Sequence, residues 1–288
     1  MTAELTDLLA RHIPGMCVTS VRALAEGEDN RVYEVNGDLI VRESKDPDPK
    51  RRSASVGAEA GLLDLVGGIS PLPVPRPILV DPVRGLIAYC KLPGRSLLTA
   101  PPVDPTSLAP ALGAFLSSIH GIDLQTVARL VPRDLDPPGS WLEEARANYD
   151  LVASEIPAGY RREVESFLHR DPPARPTDVA LCHSDLGAEH LLADPSRSHL
   201  TGVLDWADAS LADPAVDLAL ILRDLGPEAL DSVVDHYSRE VQSEDRERVV
   251  FYARCRLLED LAYGLAPGHG IYARAALDHL AHVFSPTA

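Results

Sequence analysis

The stretch Cys182-His183-Ser184-Asp185-Leu186-Gly187-Ala188-Glu189-His190 gathers acids and imidazoles within a few residues of one another, and Gly202-Val203-Leu204-Asp205-Trp206 follows it. An apolar run precedes each group: residues 179–181 ahead of His183, and Val203-Leu204 ahead of Asp205. Both groups therefore sit at the ends of short predicted strands, from which side chains can converge on one ligand. A carboxylate, a second donor five residues later and another carboxylate on the next hairpin suit phosphoryl transfer. There, one Asp accepts the proton of the attacking hydroxyl, and two further groups hold a metal that neutralises the phosphates.

Neighbouring residues have plainer readings. A near-neutral pKa does not by itself make a histidine catalytic, so His183 is expected to hold the loop. Cys182 beside it lacks a visible orienting partner for thiol chemistry. Asp213 and Asp217 flank Pro214 at a predicted helix start, where carboxylates satisfy free N–H groups and favour the dipole. Asp208 reads as an N-cap.

Two architectures must position these groups. Leu5, Leu8, Leu9 and Ile13 recur at helical spacing until Pro14-Gly15. Strands are predicted at 18–24, 32–35 and 39–42, with Asn36-Gly37 as a hairpin turn. A helix over 53–66 leaves at Gly67-Gly68. The proline-rich run 71–77 is extended, and strands follow at 78–80 and 86–90. After Gly94 helices take over. Leu108, Leu112, Phe115, Leu116 and Ile119 form a stripe, Ser140-Trp-Leu-Glu143 reads as a capping box, and Tyr160, Val164, Phe167 and Leu168 mark another helix. Short apolar stretches at 179–192 and 200–204 interrupt the run before helices at 215–225, 228–241, 244–266 and 270–284. The fold class is α+β. Residues 1–93 form a small antiparallel-sheet lobe with one inserted helix, and residues 94–288 form a larger helical lobe.

These motifs resemble the aminoglycoside phosphotransferase family, small-molecule kinases with a two-lobed, protein-kinase-like fold. The family's signature is H-x-D-x-x-x-x-N, then a strand ending in a metal-binding Asp, often I-D-W-x-x-x-x-x-G-D-P-x-x-D. The chain reads His183-Ser-Asp185-Leu-Gly-Ala-Glu-His190, then Leu204-Asp205-Trp206 and Asp213-Pro214-Ala-Val-Asp217. The resemblance implies that Asp185 is the base and that His190 and Asp205 hold Mg²⁺. It further implies that ATP or GTP is the phosphoryl donor. The loop Gly27-Glu-Asp-Asn30 corresponds to the one covering the phosphates. Arg42, with Lys45 as rival, is the basic residue of the third strand, and Glu59 is its acidic partner. Tyr89-Cys90-Lys91-Leu92-Pro93-Gly94 resembles the hinge that meets the purine, with Cys90 and Leu92 as binding residues. His190 departs from the usual Asn, and an imidazole suits Mg²⁺ less well than an oxygen ligand. Some branches of the family that modify the 2″ position of aminoglycosides, and the macrolide kinases, also carry His there.

Composition narrows the acceptor. The 288 residues include 27 Lys+Arg against 43 Asp+Glu, a net charge of −16. That argues against a nucleic-acid partner, which would need a basic face, and suits a cationic small molecule. Acids recur on the C-terminal helices, where Glu259 and Asp260 are candidates for ammonium groups. The four cysteines lie far apart, which fits a reduced cytoplasmic setting and no zinc knuckle. No leader is visible at the N-terminus, and no apolar run approaches the roughly 18 residues of a membrane span. The expected activity is phosphorylation of an antibiotic hydroxyl, conferring resistance: aminoglycoside first, then macrolide or cationic peptide. The alternatives are a kinase of choline, homoserine or a thiosugar, and a non-catalytic nucleotide-binding module. Intact Asp185 and Asp205 count against the last.

Overall fold

A computed structural model of the chain describes residues 2–13, 15–26, 30–134 and 136–285. Helix α1 (Thr2–His12) precedes three strands, β1 (Val21–Glu26), β2 (Asn30–Val35) and β3 (Leu39–Ser44). Helix α2 (Pro49–Ile69) and strands β4 (Pro77–Asp81) and β5 (Leu86–Cys90) follow. The five strands form one antiparallel sheet in the order β1-β2-β3-β5-β4.

Side-chain alternation on β3 decides where Arg42 points. Leu39 and Val41 pack with Ala88 against Leu8 and Leu9 of α1. Ile40, with Ile87 and Tyr89, packs against Val56 and Ala60 of α2. Arg42 shares the Ile40 face, so it is aimed at α2. A buried aliphatic side chain contributes about 1.5–3 kcal/mol. A one-residue slip would exchange the two faces of β3, so its apolar neighbours lock the orientation of Arg42.

Helix α2 starts at Asp48, whose carboxylate accepts from the N–H groups of Lys50 (2.8 Å) and Arg51 (3.4 Å). It runs through Gly67-Gly68, the predicted exit, to Ile69. Neither glycine has the positive φ that would end it, and Arg76 covers the Gly67 carbonyl.

The rest is mainly helical. Strand β6 (Arg95–Ser96) and a 3₁₀ turn at Pro105–Leu108 lead to α3 (Ala109–His120), α4 (Leu124–Val127), α5 (Pro138–Val152) and α6 (Ala158–Leu168). Strands β7 (Ala180–Cys182), β8 (Leu191–Ala193), β9 (Leu200–Val203) and β10 (Ser210–Ala212) come next. The chain continues with α7 (Ala215–Leu225), α8 (Pro227–Asp235), α9 (Ser243–Tyr263), α10 (Gly270–Asp278) and α11 (Leu280–Val283). Several boundaries differ from expectation. Helix α5 begins at Pro138, so Ser140 lies inside its first turn rather than capping it. Helix α8 stops at Asp235, well before 241, and His279 divides the last predicted helix into α10 and α11. The three-residue β10 gave too short a pattern to predict.

Strand β7 pairs with β10, while β8 pairs with β6 and β9. The segment from His183 to His190 therefore leaves one small sheet and enters another, and Asp205 follows β9 beside it. Gly94 brings the connector from the first sheet against this frame. It has φ +116°, and a Cβ there would lie 2.2 Å from Thr201 Oγ1. Among the described residues no helix is long and apolar enough to cross a membrane.

Candidate active site

Asp185 stands in the loop between β7 and β8, and neighbouring residues fix that loop. His183 is fully buried. Its N–H donates to Asp217 Oδ2 (2.9 Å), its Nε2 bonds the Leu204 carbonyl (2.8 Å), and its Nδ1 accepts from the Asp185 N–H (3.3 Å). These partners assign the Nε2–H tautomer, and burial holds the ring's pKa below the ordinary value. His183 thus braces the loop. Ser184, at φ +68°, donates its N–H to Asp217 Oδ1 (2.8 Å) and shares a hydroxyl bond with Ser210 (2.9 Å).

Asp217 corrects one expectation. Its oxygens serve the loop, not its own helix start, and His120 Nε2 supports it at 2.9 Å. Asp213 does serve the helix start, accepting the Ala215 N–H (3.0 Å) while Arg248 Nε reaches its other oxygen (2.7 Å). Asp208 lies in a turn before β10 and caps no helix. Cys182 is buried, its thiol pushed well up by burial, so it is inert as a nucleophile.

The loop aims Asp185 at His190, whose Nε2 lies 3.0 Å from Asp185 Oδ2. Burial disfavours both charges, yet their hydrogen bond and attraction outweigh it. The Asp185 carboxyl falls well below its usual range, and His190 rises to about 9. At neutral pH the two form an ion pair.

A second cluster faces the cleft from the sheet. Arg42, 8% exposed, pairs with Glu59 of α2 and lies 3.3 Å from Asp205 Oδ1. Burial opposes its charge, but Glu59 and Asp205 hold the guanidinium charged. Burial also pushes the Glu59 carboxyl up. The structure thus brings together Arg42, Glu59 and Asp205. Asp205 has φ +56° and a side chain 45% exposed.

Lys45, the rival to Arg42, is on the other side of the sheet. It lines a groove under α1 with Asp7, Arg11 and Glu43, away from the cleft. Period-two alternation on β3 turns Glu43 away from the Arg42 face, and Lys45 follows just past the strand's end on the Glu43 side. Asn30 opens β2 and borders a cleft with Glu59 and Asp208. Gly27, Glu28 and Asp29 of the expected phosphate-covering loop lie outside the described residues. At the expected hinge Cys90 is exposed, and Leu92 abuts Gly202 of β9. Between them, the Lys91 N–H is taken by the Asp38 carbonyl (2.7 Å) and its ammonium by Glu34 (2.6 Å).

The donors suit a divalent cation shared with an oxygen-rich ligand. Asp205 offers a carboxylate, and the ligand atoms of Asp185, Glu189 and His190 lie within 4.8 Å of one another. Phosphate oxygens would complete the shell around Asp205 and His190. A cation held at His190 would require the imidazolium to give up a proton.

Residues 20–252 match the model of the phosphotransferase enzyme family. The chain belongs to this family. It is 31% identical over 221 residues to an aminoglycoside 3′-phosphotransferase of Streptomyces ribosidificus, covering 71% of this chain and 81% of that one. It is 26% identical over 241 residues to viomycin phosphotransferase of Streptomyces vinaceus, covering 79% and 81%. The solved GDP complex of an aminoglycoside 2′-phosphotransferase superposes with a TM-score of 0.71 over 96% of this chain and 97% of that one, at 23% identity. The two-lobed kinase-like α+β fold is therefore that of the chain as a whole.

A third cluster is built around Arg223, a residue with no motif to announce it. Its guanidinium meets Asp224 (2.7 Å), Asp260 (2.8 Å) and, at 3.7 Å, Glu189 of the loop. Asp224 in turn accepts the Ala188 N–H (2.7 Å). Gly187 makes room: a Cβ there would lie 2.2 Å from Glu189 Oε2 and 2.8 Å from Arg223 Nη2. Burial raises the Asp260 carboxyl to about 7 against the pull of Arg223. Of the two expected acceptor carboxylates, Asp260 joins this cluster, and Glu259 is engaged by Arg256 at 2.9 Å. Neither is a bare surface charge. Glu189 was legible only as the neighbour of His190.

Proposed function

We propose that this phosphotransferase moves the γ-phosphoryl group of ATP or GTP to a hydroxyl of a cationic antibiotic, an aminoglycoside first. The observation that carries the reading is Asp185 paired with His190 on a loop that also presents Glu189 to the Arg223–Asp260 cluster, with Arg42, Glu59 and Asp205 brought together at the end of β9.

The acceptor hydroxyl donates to Asp185, which turns its oxygen toward the γ-phosphorus. As the oxygen–phosphorus bond forms, the bond from γ-phosphorus to the bridging oxygen breaks, and the hydroxyl proton passes to Asp185. A carboxylate with so low a pKa is a weak base in the ground state. In a loose transition state, however, the proton moves late, so Asp185 acts chiefly by orientation. Arg42, held charged by Glu59, positions donor phosphate oxygens. Mg²⁺ held by Asp205 and His190 would neutralise developing charge on the phosphates. The carboxylates around Arg223 supply the negative potential for acceptor ammonium groups.

The relatives named as aminoglycoside and viomycin phosphotransferases support a cationic antibiotic as acceptor. The test is turnover of ATP and GTP with Mg²⁺ against a panel of aminoglycosides, cationic peptide antibiotics, macrolides and hydroxyl-bearing metabolites. Acceptor-dependent nucleotide consumption with an antibiotic is expected. In the Asp185→Asn variant it should fall on the order of 10²–10⁴-fold, with nucleotide binding retained. A metabolite as the best acceptor would move the reading to a housekeeping kinase, and no acceptor-dependent turnover would overturn it.

A further inference from the structure

We propose that Arg256 of α9 is a positioning residue for phosphoryl transfer, clamping the peptide unit that carries Asp185 and so fixing the direction of its carboxylate. This rests on the reading of Asp185 as the group that receives the acceptor hydroxyl.

The peptide unit between Ser184 and Asp185 is pinned at both ends. Its carbonyl accepts from Arg256 Nη2 at 2.9 Å, and its N–H donates to His183 Nδ1 at 3.3 Å. The second bond is long and correspondingly weak. Ser184 holds φ +68°, a conformation that is strained for a non-glycine residue and persists only where its surroundings enforce it. Asp217 and Ser210 hold the N–H and hydroxyl of Ser184. Neither restrains its carbonyl, which falls to Arg256. Asp217 holds the N–H side of Ser184 and so its φ; rotation about the Ser184 Cα–C bond, which the carbonyl's bond to Arg256 opposes, would carry the Cα–Cβ bond of Asp185 to a new direction.

Arg256 is itself held on several sides. Its Nη1 donates to Glu259 at 2.9 Å, and its guanidinium lies over the Trp141 ring of α5, 5.0 Å from the centroid. Its Nε is buried with no hydrogen-bond partner. An unsatisfied buried donor costs stability. Its persistence fits a guanidinium placed for the carbonyl and the ring rather than for full satisfaction. The positive charge also lies close enough to help hold the Asp185 carboxyl low, behind the larger effect of His190. Only a planar fork can reach the carbonyl and Glu259 while its face stacks on Trp141. A lysine could reach the carbonyl alone.

The test compares Arg256→Met, Arg256→Lys and Trp141→Leu with the wild type. It reads kcat, both KM values and the thermal shift given by Mg²⁺ with nucleotide. A misplacement near 1 Å can lower rate about 10²-fold, so Arg256→Met should lose roughly 10- to 100-fold in kcat. Its nucleotide KM and nucleotide-induced shift should stay unchanged. Arg256→Lys should recover part of the loss, millimolar guanidinium ion should partly rescue Arg256→Met, and Trp141→Leu should lower kcat in the same direction by less. A kcat within about twofold of wild type in Arg256→Met overturns the proposal, as does equal loss of nucleotide binding. If Arg256→Met does not fold, Arg256→Lys and Trp141→Leu decide by the same split. The Asp185→Asn variant separates the two claims. If it stays active, the base assignment fails. If it is inactive while Arg256→Met turns over normally, only the clamp fails.

Discussion

His190 donates through Nε2 to Asp185 Oδ2 over 3.0 Å, so one bond joins the proposed base to the proposed metal ligand. The pair sits where charge must change hands. A doubly protonated imidazole cannot ligate a metal, so a metal at His190 would require it to give up a proton and would weaken its hold on Asp185. If His190 is a metal ligand, loading the cleft and loosening the carboxylate would be coupled.

The consequence is a proton count. Burial works against the imidazolium, but Asp185 raises His190 to about 9. A raised histidine pKa adds stability that is complete below the unfolded value near 6.5 and is lost as pH rises through 9. Mg²⁺–nucleotide binding at pH 7 should therefore expel about one proton, measurable by calorimetry in buffers of different ionisation enthalpy. His190→Asn should release none and should need less Mg²⁺ for half-maximal rate. Proton release unchanged in that variant would remove His190 from the metal site.

Asp205 should be needed for nucleotide affinity as well as rate. A ligand that binds only the folded state, at about 100 times its dissociation constant, stabilises by roughly 2.7 kcal/mol. Asp205→Ala should lose the Mg²⁺-dependent part of that stabilisation. Its partner Arg42 would keep Glu59, so the apo protein should melt close to wild type. Stabilisation of the variant equal to wild type would make Asp205 structural.

How much of this was legible in the sequence depended on whether a residue's neighbours were local. The strand period could set Arg42 and Lys45 on opposite faces, and motif order could pair the basic residue with Glu59, but which of the two turned toward α2 was decided only by packing, which brings Arg42 to Glu59. The segment containing His183, Asp185 and His190 was legible because its spacing is fixed along the chain. Arg223, Arg256 and the loop-holding role of Asp217 were not. Each is a charged residue on a largely buried helix face, and its partner lies dozens of residues away. Only tertiary packing brings those charges together. Boundaries failed where a local signal was overruled, as at Gly67-Gly68, where burial and Arg76 carry the helix on.

Ser184 offers a test of backbone strain. Glycine adopts φ +68° without penalty, so Ser184→Gly gains there what it loses in the Ser210 hydroxyl bond, about 1 kcal/mol. Its melting temperature and kcat should stay near wild type. Ser184→Val should destabilise by about 1–3 kcal/mol, because a β-branched side chain resists the left-handed region, and kcat should drop with it. Equal tolerance of both variants in a melting series would show that the loop relaxes away from this conformation in solution.

The cluster around Arg223, proposed to face the acceptor, makes the last prediction. Arg223 is shared by Asp224, Asp260 and Glu189, so its one positive charge cannot neutralise all three. Burial first, helped by repulsion from Glu189 and Asp224, holds the Asp260 carboxyl near 7. A carboxyl raised above its unfolded value, near 3.9, is protonated in the folded state while already ionised in the unfolded one. Stability therefore falls as pH rises from about 4 to 7. Ionisation also strengthens the site for a cation, so the KM of a cationic acceptor should fall as pH rises from 6 to 8. Asp260→Asn should flatten that profile, and Glu189→Gln should raise acceptor KM with little effect on nucleotide KM. Added salt should raise acceptor KM more than nucleotide KM, since screening acts on steering and on partly exposed charges. Initial rates at several pH values and ionic strengths check this. A best acceptor that is neutral, with a KM indifferent to salt and to Asp260→Asn, would show that these carboxylates hold the fold and not the acceptor.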